Sequence, residues 1–89
     1  MRVSFNPAAW SDYVELQTAD PSLASRINRL IRTIQRDPFG GEGKPEPLRG
    51  QYAGWWSRRI TAEHRLIYCV TGRGEEQTVN ILACRGHYR

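Results

Sequence analysis

The sequence predicts an α+β domain in which two N-terminal helices pack on one face of an antiparallel sheet. Apolar residues recur at helical spacing in the first part of the chain, whereas the last part holds short runs rich in β-branched and aromatic side chains. Helices followed by a group of strands are typical of α+β proteins rather than alternating α/β proteins. At 89 residues, the chain suits one domain over residues 1–89 and is too short for two.

A short strand and a first helix are predicted at the N-terminus. Arg2–Phe5 alternates polar and apolar side chains, which is the two-residue period of a strand. The Asn6-Pro7 pair then supplies a capping side chain and a proline suited to the first helical position. Trp10, Tyr13 and Val14 recur at helical spacing, so we expect this aromatic stripe to face the core.

The second helix is predicted from Pro21 to about Arg36, after a further cap signal at Asp20. Its apolar stripe consists of Leu23, Ile27, Leu30, Ile31 and Ile34. The other face presents four arginines, which are either solvated or in contact with RNA or a partner protein. These are Arg26, Arg29, Arg32 and Arg36.

A long loop should follow the second helix. Residues 37–47 contain three prolines and three glycines among eleven residues, which excludes a helix or a central strand. Three consecutive antiparallel strands are predicted beyond it, at residues 55–60, 65–70 and 78–84, with a turn over residues 71–76.

The pairing of the first two of these strands decides which side chains share a face. If Arg59 lies opposite Arg65, Leu66 and Tyr68 face the helices and both guanidinium groups lie on the open face. A slip of one residue would reverse this, and the length of the connecting loop does not fix the register. Two adjacent cations repel, so the pair indicates an anion site. The alternative is a pair of surface arginines compensated by Glu63.

The excess positive charge lies in the second half of the chain. The net charge is +4, residues 1–48 sum to zero, and residues 49–89 carry seven arginines against three glutamates. A guanidinium group matches two phosphate oxygens at once, so a polyanionic partner is indicated. An arginine-rich solvated surface that reflects GC-rich coding is the alternative.

Several other classes of protein are disfavoured. No apolar run is long enough to cross a bilayer and no signal-peptide core is present, so we expect a cytoplasmic protein without membrane contact. Cys69 and Cys84 are too few for a disulfide scaffold and are interpreted as reduced. Cys84 and His87 have the spacing of metal ligands, but no second close pair accompanies them, so we expect neither a metal nor a cofactor.

Glu46, Arg65 and His87 supply the three groups that RNA cleavage without a metal requires. These are a base for the ribose 2′-hydroxyl, a cation for the charge of the phosphorane and an acid for the 5′-oxygen. Glu46 stands between two prolines in the loop, and His87 and Tyr88 follow the last strand. The three residues alone are weakly specific, because any arginine-rich domain with a glutamate and a histidine fits this requirement.

The order of several segments resembles the YoeB (Txe) toxin family of the RelE superfamily. These segments are residues 38–39, 43–48, 56–61, 63–68 and 83–88, and they cover almost the whole chain. The resemblance implies a RelE-like, microbial-RNase-like fold and a ribosome-dependent mRNA endoribonuclease, or mRNA interferase, that acts in the A site. It also implies a YefM (Phd-type) antitoxin as partner and a homodimer.

The resemblance implies roles for eight residues. The catalytic residues would be Glu46 as general base, Arg65 as transition-state stabiliser, His87 as general acid and Tyr88 as a substrate-orienting or electrostatic partner. The RNA-binding residues would be Lys44, Arg49 and Arg59, which hold phosphates, and Glu63, which orients the arginines.

Three departures from the family pattern stand out: a longer turn at residues 71–77, Glu42 beside Lys44, and Arg89 beyond the His-Tyr end. Two other functions remain open. A non-catalytic RNA- or ribosome-binding module would need the arginine face without Glu46 and His87. A ParE-like toxin that inhibits gyrase would share the fold but lack the terminal His-Tyr pair.

Overall fold

Two helices and a five-stranded sheet make up the computed structural model, which describes residues 1–86. The helices are α1 (Pro7–Ala19) and α2 (Pro21–Arg36). The strands are β1 (Arg2–Phe5), β2 (Glu46–Pro47), β3 (Trp56–Arg59), β4 (Arg65–Thr71) and β5 (Thr78–Ala83). Their order across the sheet is β1-β5-β4-β3-β2. The predicted α+β class is confirmed.

The sheet is mixed rather than antiparallel throughout. Strands β2, β3, β4 and β5 pair antiparallel in turn, but β1 pairs parallel with β5, with Arg2 opposite Thr78 and Phe5 opposite Ile81. A parallel pair needs a long crossover connection, and both helices lie in the chain between β1 and the rest of the sheet. The alternation within β1 predicts a strand but carries no information about its direction.

Both helices begin where their cap signals predict. The Asn6 side chain accepts a hydrogen bond from the Ala9 N–H, and the Asp20 side chain accepts one from the Leu23 N–H. Each cap satisfies one of the amide groups that the first helical turn leaves without a partner. The predicted bounds of α2 are confirmed.

One hydrophobic core joins both helices to a single face of the sheet. The strands contribute Leu66, Tyr68, Val79 and Ile81, and α2 contributes Leu23, Ala24, Ile27, Leu30, Ile31 and Ile34. Strand side chains alternate between the two faces, so Leu66 and Tyr68 point to the helix side, whereas Arg65 and Ile67 point to the other face, where Ile67 is also buried.

The prediction for the buried face of α1 holds for Tyr13, which packs against the core, and is wrong for Trp10 and Val14. The buried residues of α1 are Ala9 and Leu16, whereas Trp10 and Val14 are 52% and 48% exposed. Trp10 packs instead against Phe5 at the edge of the sheet, with ring centroids 5.5 Å apart. The small residue Ala9 faces the core because α1 lies close to the end of β5 at this point. The Cys84 thiol, just after β5, donates to the Ala9 carbonyl at 3.6 Å.

No helix within residues 1–86 is long and apolar enough to cross a membrane.

Candidate active site

Arg59 and Arg65 lie directly opposite each other on β3 and β4. Of the registers that the sequence leaves open, this is the one that puts both guanidinium groups on one face, and Leu66 and Tyr68 are fully buried on the helix side. The two arginines are directed away from that core by the alternation of the strands.

A small cleft brings together four of the predicted site residues. It has a volume of about 150 Å³ and is lined by Lys44, Glu46, Ser57, Arg59 and Arg65. The short strand β2 places Glu46 opposite Ser57 on β3, two residues before Arg59. One carboxylate therefore shares a cleft with three cations, an arrangement that attracts an anion and keeps a proton acceptor beside it.

Arg65 is anchored on one side of its guanidinium group. Its Nη1 donates to the Thr61 carbonyl at 2.7 Å and to the His64 carbonyl at 3.2 Å, which ties it to the turn between β3 and β4. Among the described residues, its Nη2 and Nε make no hydrogen bond, so these donors are available to a bound phosphate.

The loop that carries Lys44 is held by a buried arginine that the sequence analysis missed. Arg58 is 0% exposed, and its Nη1 and Nη2 donate to the carbonyl oxygens of Glu42 and Asp37 at 2.7 and 2.8 Å. Its Nε donates to the Tyr68 hydroxyl at 3.0 Å, and that hydroxyl donates to the Pro38 carbonyl at 2.7 Å. The strand register could have identified this arginine. Arg58 is paired with Leu66, and paired residues on neighbouring strands point to the same face, which here is the core.

Gly43 brings the same loop against β3. The Arg59 N–H donates to the Gly43 carbonyl at 2.6 Å, and the φ angle of Gly43, 93°, lies in the region that favours glycine. A Cβ atom there would approach Leu30 to 3.0 Å and Arg58 to 3.1 Å. The loop is thus fixed immediately before Lys44, and β2 fixes it again at Glu46.

Arg49 and Glu63 do not line the cleft. Arg49 is exposed and precedes a short 3₁₀ helix, Gly50–Tyr52. Glu63 is exposed in the β3–β4 turn, and within residues 1–86 its carboxylate forms no ion pair with Arg59 or Arg65. The orienting role expected for Glu63 therefore has no contact to support it.

His87 and Tyr88, the predicted general acid and its partner, lie outside the described residues, as does Arg89. The last described residue, Gly86, lies beside Arg65, whose N–H donates to its carbonyl at 2.9 Å. The Gly86 N–H donates to Nδ1 of His64 at 2.8 Å.

The neighbouring Arg85 ties this end of the chain to α1. It forms ion pairs with Asp12 at 3.3 Å and Glu15 at 3.2 Å. The hydrogen bond with Glu15 raises the pKa of Arg85, which therefore stays charged.

Two buried groups near the site have raised pKa values. Burial raises the pKa of the Tyr68 phenol, and the hydrogen bond from Arg58 partly opposes this. Burial, with a smaller effect of the Asp12 charge, raises the pKa of the Cys84 thiol to about 11. Neither group is ionised at neutral pH, so Cys84 is unsuited to act as a nucleophile.

Within residues 1–86, no group of three or more histidine, cysteine, aspartate or glutamate side chains is placed to hold a metal ion. The chemistry that the cleft itself offers is that of one carboxylate and three cations, of which Arg65 is anchored by hydrogen bonds.

Comparisons with known proteins agree with this architecture. Residues 5–88 match the family described as "YoeB-like toxin of bacterial type II toxin-antitoxin system". The chain is 47% identical to Toxin YoeB of Synechocystis over 89 residues, covering 100% of this chain and 99% of the relative. It is 52% identical to Toxin RelK of Mycobacterium tuberculosis over 86 residues, covering 97% and 96% of the two chains.

Solved structures give the same result. A YoeB/ParE toxin from Agrobacterium tumefaciens superposes with a TM-score of 0.96 at 50% identity, covering 99% of this chain and 100% of that one. The YoeB-YefM complex from Staphylococcus aureus gives a TM-score of 0.88 at 36% identity, covering 99% and 98% of the chains. The match to a family over nearly all its length, together with these full-length relatives, shows that the chain belongs to the YoeB-like toxins of bacterial type II toxin–antitoxin systems.

Proposed function

We propose that this toxin is an endoribonuclease that cleaves mRNA in the ribosomal A site without a metal ion and thereby stops translation. The observation that carries the proposal is the cleft in which Glu46 lies with Lys44, Arg59 and Arg65. A base beside three cations, one of them anchored, suits attack by a ribose 2′-hydroxyl on the neighbouring phosphodiester.

In this mechanism Glu46 accepts the proton of the 2′-hydroxyl, whose oxygen then attacks the phosphorus. Arg65 offers its Nη2 and Nε, which make no hydrogen bond within residues 1–86, to the phosphorane oxygens, where negative charge develops. His87 gives a proton to the 5′-oxygen as its bond to phosphorus breaks, and Tyr88 orients the substrate. The products are a 2′,3′-cyclic phosphate and a 5′-hydroxyl.

Phosphate binding completes the assignment. Lys44 and Arg59 line the cleft and would hold the phosphates on either side of the scissile bond. Arg49 is exposed after β2 and would contact the strand farther along. Because these contacts are electrostatic, binding of RNA should weaken as the salt concentration rises.

We also propose a YefM-type antitoxin and a second toxin molecule as partners in the cytoplasm. Solved relatives from Staphylococcus aureus include a YoeB-YefM complex and a YoeB dimer. An acidic antitoxin segment that supplies carboxylates to Arg59 and Arg65 would compete with RNA for the same cleft. Such binding should also weaken with salt.

In vitro translation with purified protein tests the activity, with mRNA ends mapped by primer extension in the presence and absence of ribosomes. We expect new ends only with ribosomes. Glu46→Gln should reduce single-turnover cleavage by roughly 10²- to 10⁴-fold, the usual contribution of a general base. Glu75→Gln, which removes an exposed carboxylate in the β4–β5 turn, is the matched control and should cleave normally.

Other outcomes would assign a different function. Ribosome binding without any new mRNA ends would indicate a non-catalytic module. Inhibition of gyrase-dependent supercoiling, again without mRNA cleavage, would indicate a ParE-like toxin. Either result would contradict the proposed activity.

A further inference from the structure

A larger cavity adjoins the cleft on the side of α2. Its volume is about 420 Å³, and it lies between α2, the loop at Glu42 and the end of β3. It shares Lys44 and Arg59 with the cleft. A strand that contacts these two residues from the cleft is therefore adjacent to the cavity.

The cavity has an excess of unpaired positive charge. Arg29 is neutralised by Glu42, with its Nε 3.0 Å from Oε1 and its Nη2 2.6 Å from Oε2. The other cations, Arg26, Lys44 and Arg59, make no ion pair within residues 1–86. These three cations repel one another and, among the described residues, none is held in an ion pair, so a bound anion would relieve the repulsion.

The inner wall is apolar and already formed. Leu30 and Ile60, which line it, are 3% and 1% exposed and belong to the core. The outer wall is held at Glu42, because Arg58 binds its carbonyl at 2.7 Å and Arg29 binds its carboxylate. An apolar wall with cations at the rim suits a nucleotide, whose base and sugar contact the wall and whose phosphate contacts the cations.

We propose that this cavity is a second RNA subsite, which binds the nucleotide next to the scissile phosphodiester and holds its phosphate with Arg26 and Lys44. The inference rests on the proposed function, because it assumes that the scissile phosphate lies in the cleft beside Glu46. A strand of RNA is favoured over an acidic peptide because Lys44 and Arg59 line both the cavity and the cleft, so that two adjacent anion sites are available to a polymer with a repeating phosphate.

Arg26→Gln tests the subsite, with Arg36→Gln as the control. The control removes the same charge from an exposed residue of the same helix that does not line the cavity. Each protein is titrated with a labelled oligoribonucleotide carrying a 2′-O-methyl group at the scissile position, which prevents cleavage, between 50 and 200 mM salt. A second oligonucleotide lacks the flanking nucleotide.

We expect Arg26→Gln to weaken binding of the longer oligonucleotide by about 10- to 150-fold, the usual effect of losing one charge-assisted contact. The slope of log K against log salt should become shallower by about 0.7, as for one phosphate contact on a single strand. Arg36→Gln should change neither quantity appreciably. With the shorter oligonucleotide, wild type and Arg26→Gln should bind alike.

Equal losses for Arg26→Gln and Arg36→Gln would overturn the subsite, because they would indicate a general effect of charge. If Arg26→Gln weakens binding to intact ribosomes but not to the oligonucleotides, Arg26 contacts ribosomal RNA. If it weakens only the binding of a co-expressed acidic antitoxin, the cavity binds a peptide. Both outcomes contradict the inference. Failure of the proposed function is a different result from failure of the subsite. In that case Glu46→Gln would cleave mRNA like wild type, whether or not Arg26→Gln changes the binding of the oligonucleotides.

Discussion

Replacing Arg58 by methionine should loosen the loop that carries Lys44 and Glu46. The variant keeps a long side chain but loses the donors to Asp37, Glu42 and Tyr68, at 2.8, 2.7 and 3.0 Å. A hydrogen bond to a charged group contributes about 1.5–3 kcal/mol, so the three bonds together represent roughly 4–9 kcal/mol.

Part of this loss is offset, because methionine has no charge to remove from water, and burying a charge costs several kcal/mol. We therefore expect a net loss of about 3 kcal/mol in the free energy of unfolding, a large part of the ~5–15 kcal/mol of an ordinary domain. For a chain of this size, the melting temperature should fall by about 12–24 °C.

Urea and thermal unfolding followed by circular dichroism measure this change. Chymotrypsin cleavage after Phe39, an exposed residue of the loop, reports local release and should become faster. Arg73→Met, which removes an exposed arginine from the β4–β5 turn, is the control and should stay within about 0.5 kcal/mol of wild type. An Arg58→Met protein that melts like wild type and resists chymotrypsin equally would refute the role of Arg58.

Four further predictions concern pH and catalysis. Tyr68→Phe should lower the free energy of unfolding by about 1–3 kcal/mol. Because the pKa of Tyr68 is raised in the folded protein, wild type should lose stability as the pH rises above 10, and the variant should lose less, which unfolding measured at pH 9 and 11 would show. The pKa of Cys84 is also raised, so the stabilisation that its neutral thiol contributes is full below pH 9 and lost by about pH 11. Cys84→Ala should therefore make the free energy of unfolding vary less with pH between 9 and 11. His87→Gln should bind ribosomes in a pelleting assay yet cleave roughly 10²- to 10⁴-fold more slowly in a single turnover, and equal losses of binding, cleavage and melting temperature would indicate a packing role instead. Arg59→Ala should weaken ribosome binding first, and the difference from wild type should be largest at low salt, because losing one phosphate contact makes the salt dependence of binding shallower; unchanged binding would remove Arg59 from the phosphate contacts.

The elements that sequence predicts best here are those with a local signal. Both helix starts depend on a capping side chain and a proline adjacent in sequence, and the structure has them where expected. The Arg59–Arg65 pairing, which sequence analysis considered as one possible register, is present in the structure, and it agrees with the alternation that puts Leu66 and Tyr68 in the core. These features are specified within a few residues of the chain or within one hairpin.

The features that sequence did not predict depend on long-range contacts. The direction of β1 is set by its distant partner β5, and the face that α1 buries is set by how closely it approaches the sheet near Cys84. An arginine at a core position also violates the usual pattern of burial. Arg58 can occupy this position because the preceding loop brings the carbonyl oxygens of Glu42 and Asp37 onto its guanidinium group.

The central claim is that Glu46 acts as a base for attack by the 2′-hydroxyl, and the chemistry of the RNA ends tests it most directly. The upstream fragment released by wild type on programmed ribosomes should end in a 2′,3′-cyclic phosphate, both in standard buffer and in EDTA once ribosome integrity is controlled. Glu46→Gln should form that end at least roughly 10²-fold more slowly. An upstream fragment that ends in a 3′-hydroxyl would contradict the account, because the 2′-hydroxyl would then not have attacked the phosphorus.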